Sequence, residues 1–153
     1  MKNNVVNKEN TLNSLMMSRY MSLKYLTAIL FFMNFYWILN SVATSTGLYV
    51  IVPILSVIII FIGFINQYNG YKGEIIDVKK SLNCYIYLFF VSILMLIISV
   101  LNYKVLFPFL GNKKFAMTIS VIQLTLSFFA IIKSYKIQNN KDNIYKLIIN
   151  FNK

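Results

Sequence analysis

Four uninterrupted apolar runs, each free of Lys, Arg, Asp and Glu, constrain the fold of this 153-residue chain more than any other feature. They cover residues 25–43, 48–65, 84–101 and 115–132. At a rise of about 1.5 Å per residue, a helix of about 18 residues reaches roughly 27 Å, close to the hydrocarbon thickness of a bilayer. A helix of a soluble bundle keeps a polar face toward water, and none of these runs has one. The sequence therefore predicts an all-α membrane protein, a bundle of four transmembrane helices.

The basic residues predict how the four spans are oriented. Twelve of the fifteen Lys and Arg residues lie in segment 1–24, in the loop between the second and third spans, and in segment 133–153. The other three lie between the third and fourth spans. Because cytoplasmic loops are enriched in Lys and Arg, we expect both termini in the cytoplasm. Residues 1–153 then form a single membrane domain, with an amphipathic N-terminal segment and a cytoplasmic C-terminal tail.

The end of the first run permits a second interpretation. Ser41, Val42 and Ala43 have the small-x-small pattern of a signal-peptide cleavage site, and the segment before the run is net positive. However, the run is longer than the usual ~7–15 apolar residues of a signal peptide, and it contains Asn34 and Trp37. We therefore expect the first span to be retained, and its cleavage is the open alternative.

Small and polar residues recur at seven-residue spacing in all four runs, in what we call the heptad lines. The lines are Thr27, Asn34 and Ser41; Tyr49, Ser56 and Gly63; Tyr85, Ser92 and Ser99; and Ser120 and Ser127 with Ala116, Gln123 and Ala130 beside them. Seven residues are nearly two helical turns, so each line stays on one side of its helix. Because lipid gives membrane helices no hydrophobic drive to associate, such residues usually mark the faces on which they meet.

Four polar residues of the heptad lines are the candidate contacts inside the bundle. These are Asn34, Ser56, Ser92 and Gln123. A buried amide without a partner costs roughly 1–3 kcal/mol, so the two amides need hydrogen bonds. One interpretation is that Asn34 and Gln123 bond a neighbouring helix, and the other is that they line a site for a small ligand or peptide.

The loop between the third and fourth spans is apolar over residues 105–111, although lysines flank it. One interpretation places its aromatic rings among the lipid headgroups. The other makes it an exposed apolar surface that meets an external peptide or partner through Phe107, Pro108 and Phe109.

The C-terminal tail contains a second amphipathic pattern. Ile144, Leu147, Ile148 and Phe151 follow helical spacing, and three residues suited to capping a helix precede them: Asn139, Asn140 and Asp142. This pattern predicts a short helix at the membrane surface, and the alternative is a frayed tail.

The sequence offers little for catalysis or for binding metals and nucleotides. It has no His, one Cys, no Gly-rich phosphate loop and no Gly-x-Ser-x-Gly elbow. No acid or base lies within the four runs, which disfavours a proton or ion pathway. Its lysines are scattered among loops, which disfavours nucleic-acid binding. We therefore expect that the chain is not an enzyme and binds no cofactor or metal. The partner that the composition indicates is the lipid bilayer.

Two stretches carry a resemblance to a known group of proteins. They are Phe-Phe-Met-Asn-Phe-Tyr-Trp at residues 31–37 and Ile-Gln-Asn-Asn-Lys-Asp-Asn-Ile-Tyr at residues 137–145. Together with the layout, they resemble small four-span membrane proteins associated with bacteriocin loci of low-GC Gram-positive bacteria. The resemblance implies self-immunity against a membrane-active bacteriocin peptide in the bacterial cell membrane. The partner would be that antimicrobial peptide or a larger membrane protein.

Two other functions stay open for a small protein of this composition. One is an accessory subunit of a transporter or secretion complex, which would co-purify with a larger membrane partner. The other, with less support, is a holin-type pore-former, which would cause leakage or lysis when overexpressed.

Overall fold

The computed structural model describes residues 2–44, 50–71 and 78–152, with side chains described over 10–44, 50–68 and 78–150. It contains five α-helices: α1 Lys2–Ala43, α2 Ile51–Tyr71, α3 Lys79–Leu106, α4 Lys113–Gln138 and α5 Asn143–Asn152. No strand occurs in these ranges. Four of the helical segments are long and apolar enough to cross a membrane, as judged by length and composition. The prediction of an all-helical chain with four candidate spans is therefore confirmed.

The four long helices form a closed ring. Each packs against its neighbour along the chain, and α4 packs against α1. The most extensive pair is α3 with α4, followed by α1 with α2. Helix α5 lies against α1, so the C-terminal segment is docked on the bundle and the alternative of a frayed tail is wrong.

Helix α1 is much longer than a bilayer requires. It contains 42 residues, which corresponds to roughly 63 Å, about twice the hydrocarbon thickness. Residues 2–24 and the predicted span 25–43 form one continuous helix, and the part before residue 25 is an extension of the predicted span. Tyr20 and Leu23, within this extension, are buried in the same apolar cluster as Leu30.

Two apolar clusters fill the ends of the bundle. The first contains Tyr20, Leu23, Leu30, Ile60, Val78, Tyr85, Leu88, Ala130 and Ile137. The second contains Trp37, Val91, Met95, Leu106, Phe107 and Ala116. We call the first end the termini end, because α5 and the first half of α1 meet there. We call the other end the loop end, because it contains the loop between α3 and α4.

Local sequence explains where several helices begin and end. Pro53 lies in the first turn of α2, where a missing N–H breaks no intrahelical bond. The side chain of Asn112 caps α4, since its Oδ1 accepts from the backbone N–H of Lys114 at 2.8 Å. Helix α3 is interrupted at Asn102, whose φ and ψ are −149° and 89°, shortly before the chain turns into the α3–α4 loop.

Candidate functional site

The residues predicted to face inward lie inside the bundle. Asn34, Ser56 and Ser92 are fully buried, and Gln123 is 1% exposed. The remaining members of the heptad lines are buried as well, except Tyr49, which lies outside the described residues. Their inward position agrees with the spacing argument, whereas a role of the four residues in ligand contact stays a prediction.

Most serines of the heptad lines satisfy their hydroxyl groups within their own helix. The acceptor is the carbonyl four residues earlier: Ser56 to Val52 at 3.0 Å, Ser92 to Leu88 at 2.7 Å, Ser120 to Ala116 at 2.9 Å and Ser127 to Gln123 at 2.8 Å. One pair, Ser99 and Ser120, also bonds across α3 and α4 at 3.3 Å. These serines therefore act mainly by being small, which lets the helices approach closely.

The two buried amides keep unused hydrogen-bonding capacity. Asn34 donates from Nδ2 to the carbonyl of Leu30 at 2.8 Å. Its Oδ1 and the Nε2 of Gln123 have no hydrogen-bond partner among the residues that the structure describes. One unpaired acceptor and one unpaired donor thus lie inside the bundle, on helices α1 and α4 that pack against each other. An unpaired buried polar group costs free energy, so each of these two amides lowers the stability of the bundle unless a further group bonds it.

A polar cluster near the termini end joins three helices. Gln67 of α2 donates from Nε2 to the hydroxyl of Tyr85 in α3 at 2.6 Å. Thr27 of α1 bonds both residues, with its hydroxyl 3.3 Å from the Gln67 Oε1. The sequence argument placed Thr27 and Tyr85 inward but missed Gln67, which lies two residues beyond the predicted second span. The missed signal is its spacing, because Gln67 follows the inward Gly63 by four residues.

The loop end differs from the exposed apolar surface that the sequence suggested. Phe107 is 1% exposed, and its ring stacks on that of Trp37 with centroids 5.0 Å apart. The indole Nε1 of Trp37 donates to the carbonyl of Leu106 at 3.0 Å. The interpretation in which Phe107 lies on an exposed apolar surface is therefore wrong, because a buried tryptophan on α1 gives this ring a partner. Pro108 and Phe109 are half-buried, and their contact with an external partner stays a prediction.

The termini end contains a buried ion pair that the sequence argument did not anticipate. Arg19 is the single arginine of the chain. Its Nη2 lies 2.8 Å from the Asp142 Oδ1, and its Nε is 3.0 and 3.1 Å from the two carboxylate oxygens. The same Nη2 donates to the carbonyl of Ile137 at 2.8 Å and to the Asn140 Oδ1 at 2.7 Å. We call Arg19, Ile137, Asn140 and Asp142 the Arg19 cluster. The sequence argument treated Arg19 as a topological charge alone.

The turn between α4 and α5 explains how three acceptors converge on one guanidinium. Asn140 adopts a left-handed conformation with a φ of 54°, which asparagine tolerates. The N–H of Lys141 then bonds the Lys136 carbonyl at 2.9 Å, a Schellman end to α4. Asp142 caps α5 as predicted, since its Oδ2 accepts from the Tyr145 N–H at 3.1 Å.

An open groove lies between α1 and α2, and we call it the α1–α2 groove. It has a volume of about 240 Å³. Four phenyl rings dominate its lining: Phe31, Phe32, Phe61 and Phe64. Ala28 also lines the groove, and Thr27 connects the groove to the polar cluster of Gln67 and Tyr85. The lining of the groove is therefore mostly apolar.

No group of three or more metal-ligating side chains occurs in the part of the chain that the structure describes. Cys84 is a free, half-buried thiol packed beside Gly63. Comparisons of this chain with protein-family models, curated proteins and solved structures found no match.

Proposed function

We propose that this chain is a non-enzymatic integral membrane protein of the bacterial cell membrane that confers self-immunity against a membrane-active bacteriocin peptide. The observation that carries the proposal is the α1–α2 groove, which is open and is lined by four phenyl rings. A peptide inserted beside the bundle would place its apolar side chains in this groove. Captured there, the peptide would be withheld from other targets in the membrane.

Two features make the α1–α2 groove a suitable capture site. Phe32 and Phe61 are 54% and 55% exposed, so their rings are accessible from the bilayer. Thr27, which lines the groove, hydrogen-bonds the Tyr85 hydroxyl, and this bond connects the α1 side of the groove to α3. The sequence stretch 31–37, which resembles bacteriocin-associated proteins, contributes two of the four rings.

The proposal includes an orientation with both termini in the cytoplasm. The Arg19–Asp142 pair places the first half of α1 and the start of α5 at the same end of the bundle. The excess of lysine in the segments near that end supports assigning it to the cytoplasm. Reporter tags fused separately to the two termini should both give a cytoplasmic signal, and opposite signals would contradict the orientation.

The test is protection of a sensitive strain that expresses the chain and is challenged with a panel of membrane-active bacteriocin peptides. Ala28→Phe fills the α1–α2 groove, and we expect it to abolish protection. Val121→Phe introduces the same phenyl ring at an exposed position of α4 and should leave protection intact. Both variants are compared at equal amounts in the membrane.

Several outcomes would contradict the proposal. Equal protection by the wild type and Ala28→Phe would exclude the groove as the capture site. Absence of protection by the wild type, together with stable co-purification of a larger membrane protein, would favour an accessory subunit of a transporter or secretion complex.

A further inference from the structure

A second groove lies at the termini end, between α1, α4 and the start of α5, and we call it the basic groove. Its volume is about 510 Å³. Its apolar lining includes Leu26, Phe129 and Ile132, and its basic lining consists of Lys133, Lys136 and Lys141. One cavity therefore combines an apolar lining, which we call its apolar base, with the side chains of three lysines.

Among the residues whose side chains the structure describes, no carboxylate forms an ion pair with the three lysines. Asp142 is the acidic residue in the groove lining, and both of its carboxylate oxygens accept hydrogen bonds from Arg19. The second oxygen also accepts from the Tyr145 backbone N–H. Because Arg19 neutralises Asp142, the side chains around the groove carry a net positive charge from the lysines.

The position of the basic groove matches the boundary between hydrocarbon and headgroups. Lys133 directly follows Ile132, the last residue of the fourth charge-free run. Ile132 and Phe129 therefore lie at the level of the acyl chains, and the lysine side chains reach the headgroup level, as long basic side chains do at membrane interfaces.

We propose that the basic groove is a binding site for an anionic glycerophospholipid. The lipid phosphate lies against Lys133, Lys136 and Lys141, and the upper part of an acyl chain covers Leu26 and Phe129. Free phosphate would match the charge but leave the apolar base uncovered. A zwitterionic lipid would cover the base but bring no net negative charge to the three lysines. This site is separate from the α1–α2 groove and does not depend on the proposed immunity function.

The Arg19 cluster gives the site its shape. Lys133 and Lys136 are on α4, whereas Lys141 lies in the turn toward α5. The bonds from Arg19 to Ile137, Asn140 and Asp142 hold this turn against α1. The backbone of Lys141 is therefore held relative to α4 before a lipid binds, which lowers the entropy that binding must overcome.

The experiment measures lipid preference of the purified full-length protein in detergent. The protein is offered equal amounts of phosphatidylglycerol and phosphatidylcholine, and bound lipid is counted by native mass spectrometry. A basic residue near the surface strengthens the attraction to anionic lipid by roughly fivefold. We therefore expect K133Q/K136Q/K141Q to lower the preference for phosphatidylglycerol by at least about tenfold.

Two further variants make the result specific. K104Q/K113Q/K114Q removes the same charge at the loop end and should leave the preference within about twofold of wild type. K133R/K136R/K141R keeps the charge at the basic groove and should also retain the preference. An equal loss in both glutamine variants, or equal retention of the two lipids by the wild type, would overturn the proposal. Displacement of the lipid by millimolar inorganic phosphate would do so too, because it would identify a site for free phosphate.

Discussion

The two ends of the bundle are closed by different physical means. At the termini end, the Arg19 guanidinium makes charge-assisted hydrogen bonds to the α4–α5 turn and lies 4.9 Å from the centre of the Tyr145 ring. At the loop end, Trp37 stacks on Phe107 and makes one indole hydrogen bond to Leu106. Both closures use α1, which contacts the α4–α5 turn at one end and the α3–α4 loop at the other.

The difference shows what each closure depends on. The Arg19–Asp142 pair joins residues 123 positions apart. Removal of either partner would leave the other charge buried and uncompensated, so the closure depends on both residues. The aromatic closure depends on the apolar area that the two rings bury and on their stacking. We therefore expect the termini end to be the more sensitive of the two to single substitutions.

The largest effect should follow from breaking the buried ion pair. Asp142→Asn removes the charge that balances Arg19, and we expect a loss of about 3–5 kcal/mol in the free energy of unfolding. The measurement is equilibrium unfolding of the purified protein in mixed detergent micelles. The matched control is Lys146→Gln, which removes an exposed charge from the same helix and should change stability by less than about 0.5 kcal/mol.

A double variant tests whether Arg19 and Asp142 stabilise the protein by interacting directly with each other. Arg19→Met combined with Asp142→Asn removes both charges, so the combined loss should be clearly smaller than the sum of the two single losses. Strict additivity would contradict a direct ionic interaction between the two residues.

A somewhat smaller effect should follow at the loop end. Phe107→Ala removes the ring that stacks on Trp37 and opens a cavity, and we expect a loss of about 3 kcal/mol. Phe115→Ala serves as the control, because Phe115 is 65% exposed and packs little. If the two alanine variants are equally stable, the loop is not packed as the structure describes.

The sequence predicted the interior of the bundle well, because that interior is periodic. Asn34, Ser92 and Gln123 belong to heptad lines, and the spacing alone placed them on one side of each helix. The same argument stopped at the ends of the charge-free runs. It therefore missed Gln67, which continues the inward side of α2 past the predicted span.

The closures at the two ends could not be predicted from periodicity. Arg19 and Asp142 lie near opposite termini of the chain, and nothing local indicates that they pair. Phe107 lies in a run of apolar residues whose spacing does not distinguish burial from exposure. In both places the deciding partner comes from a distant segment, so the three-dimensional arrangement is required to identify it.

The polar cluster of α1, α2 and α3 should contribute an intermediate amount to stability. Tyr85→Phe removes the hydroxyl that bonds Thr27 and Gln67, and we expect a loss of about 1 kcal/mol. Tyr87→Phe removes a hydroxyl from an exposed position on the same helix and should have no measurable effect. A loss of the same size in both variants would show that the cluster does not hold the helices together.

The smallest effect, and one of opposite sign, should come from the middle of the bundle. Asn34→Leu and Gln123→Leu each remove a buried amide that has an unpaired atom, so we expect a gain of up to about 1 kcal/mol in the free energy of unfolding. Gln67→Leu is the matched control, because it removes an amide that bonds Tyr85 and should therefore destabilise the protein. A clear loss of stability in Asn34→Leu would mean that its amide is bonded after all.

Stability retained together with loss of protection against the bacteriocin would instead support Asn34 and Gln123 as ligand contacts, because a purely structural amide would not produce that combination.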